Sequence, residues 1–203
     1  MSTRRRFFLA AAALAAISLA LPLWGFRMSA PQYPGEALYL RVTRSGIAGD
    51  VREVGTLQKY IGVRFPTELP ELKWVAAAIG SLALLLAIAG VDGKGSLCRR
   101  YRRAVAGLLL LFLLASAVFL QKRLYDVGHQ RDSHAAIQAV RNFTPPALGP
   151  IRVGNFTVWS YPHLGGIALA LAGVLSVLGA GTARNRALRP ACVRSPRRPE
   201  AAA

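Results

Sequence analysis

Hydrophobic positions along this chain gather into four blocks: Phe7 to Trp24, Trp74 to Val91, Ala104 to Leu120, and roughly Pro162 to Ala180. Each block is about 17 to 19 residues long and free of Lys, Arg, Asp and Glu. A hydrocarbon layer about 30 Å thick takes about 20 apolar residues as a helix, with a range reaching down to about 17. In lipid every backbone amide must find its partner within the protein, so the helix is the default for such a run. Buried helices of a soluble bundle would carry polar faces at helical spacing, and these blocks carry none. The expected fold class is therefore all-α, a polytopic membrane protein with four transmembrane helices.

The polar stretches between the blocks set the organisation. Residues 1–24 are a short tail and the first span (7–24), 25–73 a first outer loop, 74–91 the second span and 92–103 a short basic link. Residues 104–120 are the third span, 121–161 a second outer loop, 162–180 the fourth span and 181–203 a basic tail. The first outer loop is too patterned to be a mere connection. In ALYLRV, Leu38, Leu40 and Val42 alternate with Tyr39 and Arg41, the period of a half-buried strand. SGIAGD is turn chemistry, and Asp50 with Glu53 forms a D-x-x-E pair placed to cap a short helix running to Tyr60. Val51, Val54, Leu57 and Ile61 would lie along one side of that helix, with Gly62 as its stop. Pro70 stands where a helix leading into the second span would begin, a position that tolerates the missing N–H. In the second loop Pro145, Pro146 and Pro150 preclude regular structure through the centre. IRVGNFTVWS alternates as an extended segment, placed to pair with the strand of the first loop. Together the two loops predict a small mixed extracytoplasmic cap.

Charge adds an orientation. Arg4, Arg5 and Arg6 precede the first block; Lys94, Arg99, Arg100, Arg102 and Arg103 lie between the second and third; six more arginines follow the fourth. These stretches hold 14 of the 26 basic residues but only 2 of the 9 acidic ones. The positive-inside rule puts both termini and the short link in the cytoplasm and the two long loops outside. Trp24, Trp74 and Trp159 all fall at expected outer boundaries, where an indole keeps its ring in apolar surroundings and its N–H wet. The net charge of +17 and the pI near 11.4 do not point to nucleic acid. The basic residues flank apolar spans, where they meet anionic headgroups, and no nucleic-acid motif is present.

Cys98 and Cys192 both fall on the expected cytoplasmic side, so cysteine provides neither disulfides nor ligands for the outer loops. TRRRFF near the start loosely resembles a twin-arginine export signal. The best cleavage position, after Ala30, is followed by Pro31, which disfavours cutting, so an uncleaved anchor is expected.

Candidate chemistry concentrates in YDVGHQRDSH, Tyr125 to His134, which holds two of the three histidines just beyond the third block. Imidazole and carboxylate suit divalent transition metals, and His129, His134 and Asp132 are the metal-ligand candidates, with Asp126 close upstream. Met28 would add a thioether for Cu(I), and His163 would approach from the fourth span. On a regular helix two rings five residues apart point about 140° away from each other, so a joint site needs a turn there. Zinc spacings such as HExxH are absent. The competing reading is that Asp126, His129 and Asp132 cap a helix end and bond loop backbone. Spacing leaves both open. No nucleophile–base arrangement, phosphate loop or dinucleotide fingerprint occurs, so the chain is read as a non-enzyme. The spans carry no ionisable residue before His163, which argues against transport.

APQYPGEALYL with GDVREVGTLQKYIGV resembles the first outer loop of a group of small four-span bacterial inner-membrane proteins of undefined biochemistry. YDVGHQRDSHAAI with FTPPALGPIRVGNFTVWSYPHLG is similar to their second loop. Members accompany machinery that matures nitrous oxide reductase and handles periplasmic copper. Where relatives have Asn-His-Tyr-Ile-Gly-Met, this chain has Gln58, Lys59, Tyr60, Ile61, Gly62 and Val63, so a histidine and a methionine are replaced. His129 carries over onto the matching position of the second motif.

The resemblance implies a bacterial inner-membrane accessory factor for copper handling or metalloenzyme maturation, with copper as the expected metal. The alternative is a metal-free structural or docking subunit of a larger membrane complex, with the outer cap as its docking face. Either way the expected partners are the lipid bilayer and a membrane or periplasmic protein, not nucleic acid.

Overall fold

The first apolar block is a helix for only part of its length. The structure, a computed structural model, describes residues 2–29, 37–61, 69–91, 96–130, 143–153 and 155–187. Helix α1 (Thr3–Ser18) starts at Ser2, whose side chain accepts from Arg5 N, and it has 16 residues, about 24 Å. Beyond Ser18 the chain tightens into i→i−3 bonds, Leu19 N to Ala16 O, Ala20 N to Ile17 O and Leu21 N to Ser18 O. Pro22 then removes a donor, and Leu23 N bonds Val42 O in the sheet. Trp24, the last residue of the block, opens strand β1 (Trp24–Ser29), which has Trp24, Phe26 and Met28 on one face.

The other elements follow in chain order. They are β2 (Ala37–Thr43), β3 (Gly46–Gly49), α2 (Val51–Ile61), α3 (Glu71–Ala89), α4 (Ser96–His129), β4 (Gly149–Val153), β5 (Phe156–Pro162) and α5 (Leu164–Ala187). The five strands form one antiparallel sheet in the order β3-β2-β1-β5-β4. The all-α expectation is therefore corrected: the protein is mixed α/β, with five described helices and a five-stranded sheet. Four spans are likewise not found among the described residues. Three helices are long and apolar enough to cross a membrane, Glu71–Ala89, Leu97–His129 and Leu164–Gly181. The physical reason for both differences is that the last residues of the first block pair their backbone with β2 and β5 instead of continuing a helix.

Helices α1, α3, α4 and α5 make a bundle in which α1 and α4 each pack against both α3 and α5. Its core includes Phe8, Ala11, Ala15, Ile79, Leu86, Leu109 and Ala172. Small residues let the helices approach closely, the main device where lipid removes the hydrophobic drive between helices. A side chain at Gly173 would press on Leu113, and one at Gly179 on Phe8. The outside of the bundle is apolar: only 22%, 17% and 39% of the most hydrophobic window of α3, α4 and α5 is buried. Leu84, Ile88, Leu111, Leu114, Val118, Leu171 and Val174 stand exposed. Exposed apolar surface of this extent marks a membrane or protein contact, and with these helices the chain is consistent with a membrane protein.

At 34 residues, about 51 Å, α4 is longer than any bilayer requires. Its last turns leave the bundle and support the sheet. Leu124 joins Phe26, Met28, Leu40 and Val54 in a second core, which sits between the inner sheet face, α2 and α4. The second turn of α4 ties the opposite end: buried Arg102 donates from Nε to Ala89 O at 2.8 Å and from its terminal nitrogen to Val91 O at 2.9 Å. It thereby satisfies carbonyls left open at the C-terminus of α3.

Candidate functional site

Backbone register decides what the outer face of the sheet displays. Alternation puts Phe26, Met28, Leu40 and Val42 inside, so the intervening residues face away from α4. In β1 the central outward residue is Arg27, which stands opposite Tyr39 of β2 on one side and Trp159 of β5 on the other. The row therefore reads Tyr39, Arg27, Trp159, and all three are exposed. The Arg27 guanidinium lies 5.9 Å from the centre of the Tyr39 ring, within cation–π range. Arg41, two residues from Tyr39, and Arg152, which pairs with Thr157 two residues before Trp159, add exposed charge on the same face. The strands contribute no acidic residue to it. Gly25 is needed here because the Tyr161 ring lies where a Cβ would stand, 2.8 Å from two ring carbons.

The platform is held rigidly from behind. Trp24 Nε1 donates to Ser160 Oγ at 2.9 Å, and buried Ser160 donates in turn to Ala147 O at 2.7 Å. Ala147 N donates to Gln121 Oε1 at 2.9 Å, while Gln121 Nε2 donates to Pro145 O at 3.1 Å. One relay thus connects β1, β5, the segment leading into β4, and α4. At the far edge, Asp50 does not cap α2 with its side chain: its Oδ2 accepts from Tyr39 N at 2.7 Å, while its carbonyl accepts from Val54 N. Gly49, at φ 109°, makes that turn.

The metal-ligand candidates are dispersed. Met28 is 9% exposed, inside the apolar cluster of Phe26, Leu40, Val54 and Leu124. His129 closes α4: its ring stacks on Tyr125 at 3.8 Å, and Nδ1 donates to the Tyr125 carbonyl at 2.9 Å, while Nε2 has no partner among the described residues. His163 sits at the start of α5, where Nδ1 accepts from Leu164 N at 2.9 Å. Asp132 and His134 lie outside the described residues. Among the described residues no three His, Cys, Asp or Glu side chains come together to hold a metal.

The tryptophans read as membrane anchors take different places. Trp74, on the first turn of α3, is 80% exposed. Trp24 is in β1 and bonded to Ser160, and Trp159 is on the outer sheet face. Sequence reasoning missed Arg27, Arg41 and Arg152 as a group. The signal was the alternation in WGFRMS, obscured because that stretch starts inside an apolar block. No protein-family model matches the chain, and no curated protein matches it either.

Proposed function

We propose that this chain is a non-enzymatic inner-membrane accessory protein whose outer sheet face docks an acidic surface of a partner protein. The observation that carries the reading is the exposed row Tyr39, Arg27, Trp159 with Arg41 and Arg152 beside it. Tyr, Trp and Arg are the residues enriched where proteins bind each other and where single side chains dominate the affinity. Guanidinium forks match carboxylates in pairs. Rigid backing by the Gln121–Ala147–Ser160–Trp24 relay lowers the ordering cost of binding. The basic ends of α1 and α4 lie away from the sheet, so the positive-inside rule gives this face to the periplasmic side.

A sheet of this size offers a footprint of about 20 by 24 Å, from about 3.3 Å per residue and about 4.8 Å per strand. That is smaller than the roughly 800 Å² per partner of a stable complex, so the contact is transient. Maturation of a periplasmic metalloenzyme, the setting implied by the resemblance, is served by such a contact. Copper handling would rest on isolated imidazoles, His129 and His163, since among the described residues no metal-holding cluster forms.

The test replaces Trp159 with a photoreactive amino acid in cells, with Val118 in the exposed apolar belt as control. A discrete protein adduct at position 159 is expected. It should be lost in an Arg27→Glu, Arg41→Glu variant and kept in His129→Ala. No adduct at 159, or one that ignores the arginines and needs His129, would overturn the docking reading.

A further inference from the structure

A second feature lies on the other side of the sheet. Where α3 and α4 pass beneath β1 and β2 they leave a cleft of about 370 Å³, within the roughly 300–1,000 Å³ of small-molecule sites. On α4 the lining steps from Phe112 through Ala115, Phe119 and Arg123 to Val127, every three or four residues, so one face of the helix forms a wall. Trp24 and Phe26 close it from the sheet and Val75 from α3. The lining holds two charges, Glu71 and Arg123, and these form an ion pair. Glu71 Oε1 takes the guanidinium, whereas Oε2 is turned away from water and has no hydrogen-bond partner among the described residues, although the side chain as a whole is 30% exposed. A carboxylate oxygen left in that state is costly, so a turn of the side chain toward a donor in the cleft is favoured. Arg123, 41% exposed, still presents donors of its own. Phe119, 44% exposed, and Val118, 70% exposed, make the cleft continuous with the apolar belt of the bundle.

We propose that this cleft binds one chain of a phospholipid whose headgroup carries a primary ammonium, with the ammonium donating to Glu71 and the phosphate accepting from Arg123. The occupant comes from the bilayer because the cleft opens onto the face that contacts it. At roughly 30 Å³ per small group, the share of one liquid water, the volume takes about a dozen methylenes, most of a single acyl chain. A quaternary ammonium has no N–H for Glu71, and a glycerol headgroup has no positive charge, so both should bind more weakly. The proposal is independent of the docking reading and needs only that these helices lie in a membrane.

The test uses the full chain in detergent with Trp74→Phe and Trp159→Phe, so that Trp24, in the cleft wall, is the remaining fluorophore. It is titrated with bromine-labelled phosphatidylethanolamine, phosphatidylcholine or phosphatidylglycerol. Expected is saturable quenching by phosphatidylethanolamine, half-complete at ~10-fold lower concentration than with the others, a factor matching one charge-assisted contact. Glu71→Gln should erase that preference while quenching remains. Ala115→Phe should abolish quenching, and Ser116→Leu, a smaller intrusion, should weaken it if the larger one prevents folding. Unsaturable quenching equal for all three lipids would mean annular lipid only and would overturn the proposal. Quenching that survives both cleft-filling variants would overturn it as well.

Discussion

Gln121 and Ala147 are joined across the interface between α4 and the sheet: Ala147 N donates to the Gln121 amide oxygen at 2.9 Å. The same amide donates to Pro145 O at 3.1 Å, so one side chain holds a segment that has little backbone pairing of its own. Each bond contributes about 1 kcal/mol net, but an N–H left without a partner costs about 1–3 kcal/mol more. Gln121→Leu is therefore expected to destabilise by about 2–4 kcal/mol. Amide exchange should accelerate in residues 143–153 first, read by hydrogen–deuterium exchange in detergent.

Gly128 and Gly107 lie on the same helix but in different surroundings. A Cβ at Gly128 would collide with the Phe143 carbonyl oxygen, whereas one at Gly107 meets nothing within 4 Å. Gly128→Ala is expected to shift backbone and cost about 1–3 kcal/mol by overpacking. Gly107→Ala should be neutral or slightly stabilising through better helix propensity, by about 1 kcal/mol at most. Thermal unfolding of the two variants side by side checks the contrast.

Arg102 differs from its basic neighbours. It is 6% exposed and donates to the carbonyls of Ala89 and Val91. Arg102→Gln is expected to lose about 2–4 kcal/mol, since the buried Ala89 carbonyl and the partly buried Val91 carbonyl lose a charged donor. Arg99→Gln and Arg100→Gln, at exposed positions, should stay within about 0.5 kcal/mol. Equal losses in all three variants, measured by denaturant titration, would show that charge near the membrane matters here more than the carbonyl contacts.

Met28 lies inside the second core, so its thioether is shielded from solution. Met28→Leu conserves volume and is expected to cost less than about 1.5 kcal/mol. Met28→Ala should cost about 2–5 kcal/mol through the cavity it leaves. Neither should change a Cu(I) titration of the purified protein. A weakened titration in Met28→Leu with unchanged stability would make Met28 a ligand.

Much of this architecture could be read from short-range pattern. Leu38, Leu40 and Val42 alternate because β2 has one buried face, and Val51 to Ile61 repeats at helical spacing because α2 lies on the sheet. IRVGNFTVWS, read as one extended segment, is instead the hairpin β4–β5, with Pro150 inside β4 on the sheet edge, and its neighbour is β1 rather than β2. Two elements were misjudged, and for related reasons. WGFRMS has too few residues to show a period clearly and starts at the last residue of an apolar run, so Trp24 is read as the end of the first span and Gly25 to Ser29 as loop. The end of α4 was taken for loop because Lys122, Arg123 and Asp126 cannot lie in lipid. Leu120, Leu124 and Val127 nevertheless keep helical spacing and cover the sheet.

By itself the sequence determined three of the segments that are long and apolar enough for a membrane, where the positive charge lies relative to them, and which short stretches alternate as strands. Each of these depends on residues close together in the chain. Only the tertiary structure decided that β1 joins β2 to β5, that Arg27 stands between Tyr39 and Trp159, and that Glu71 meets Arg123 above an apolar cleft. Most of those pairings bring together residues far apart in the chain. They follow from unpaired backbone seeking partners at the sheet edges and from α4 continuing past the helix bundle, and no local period encodes either.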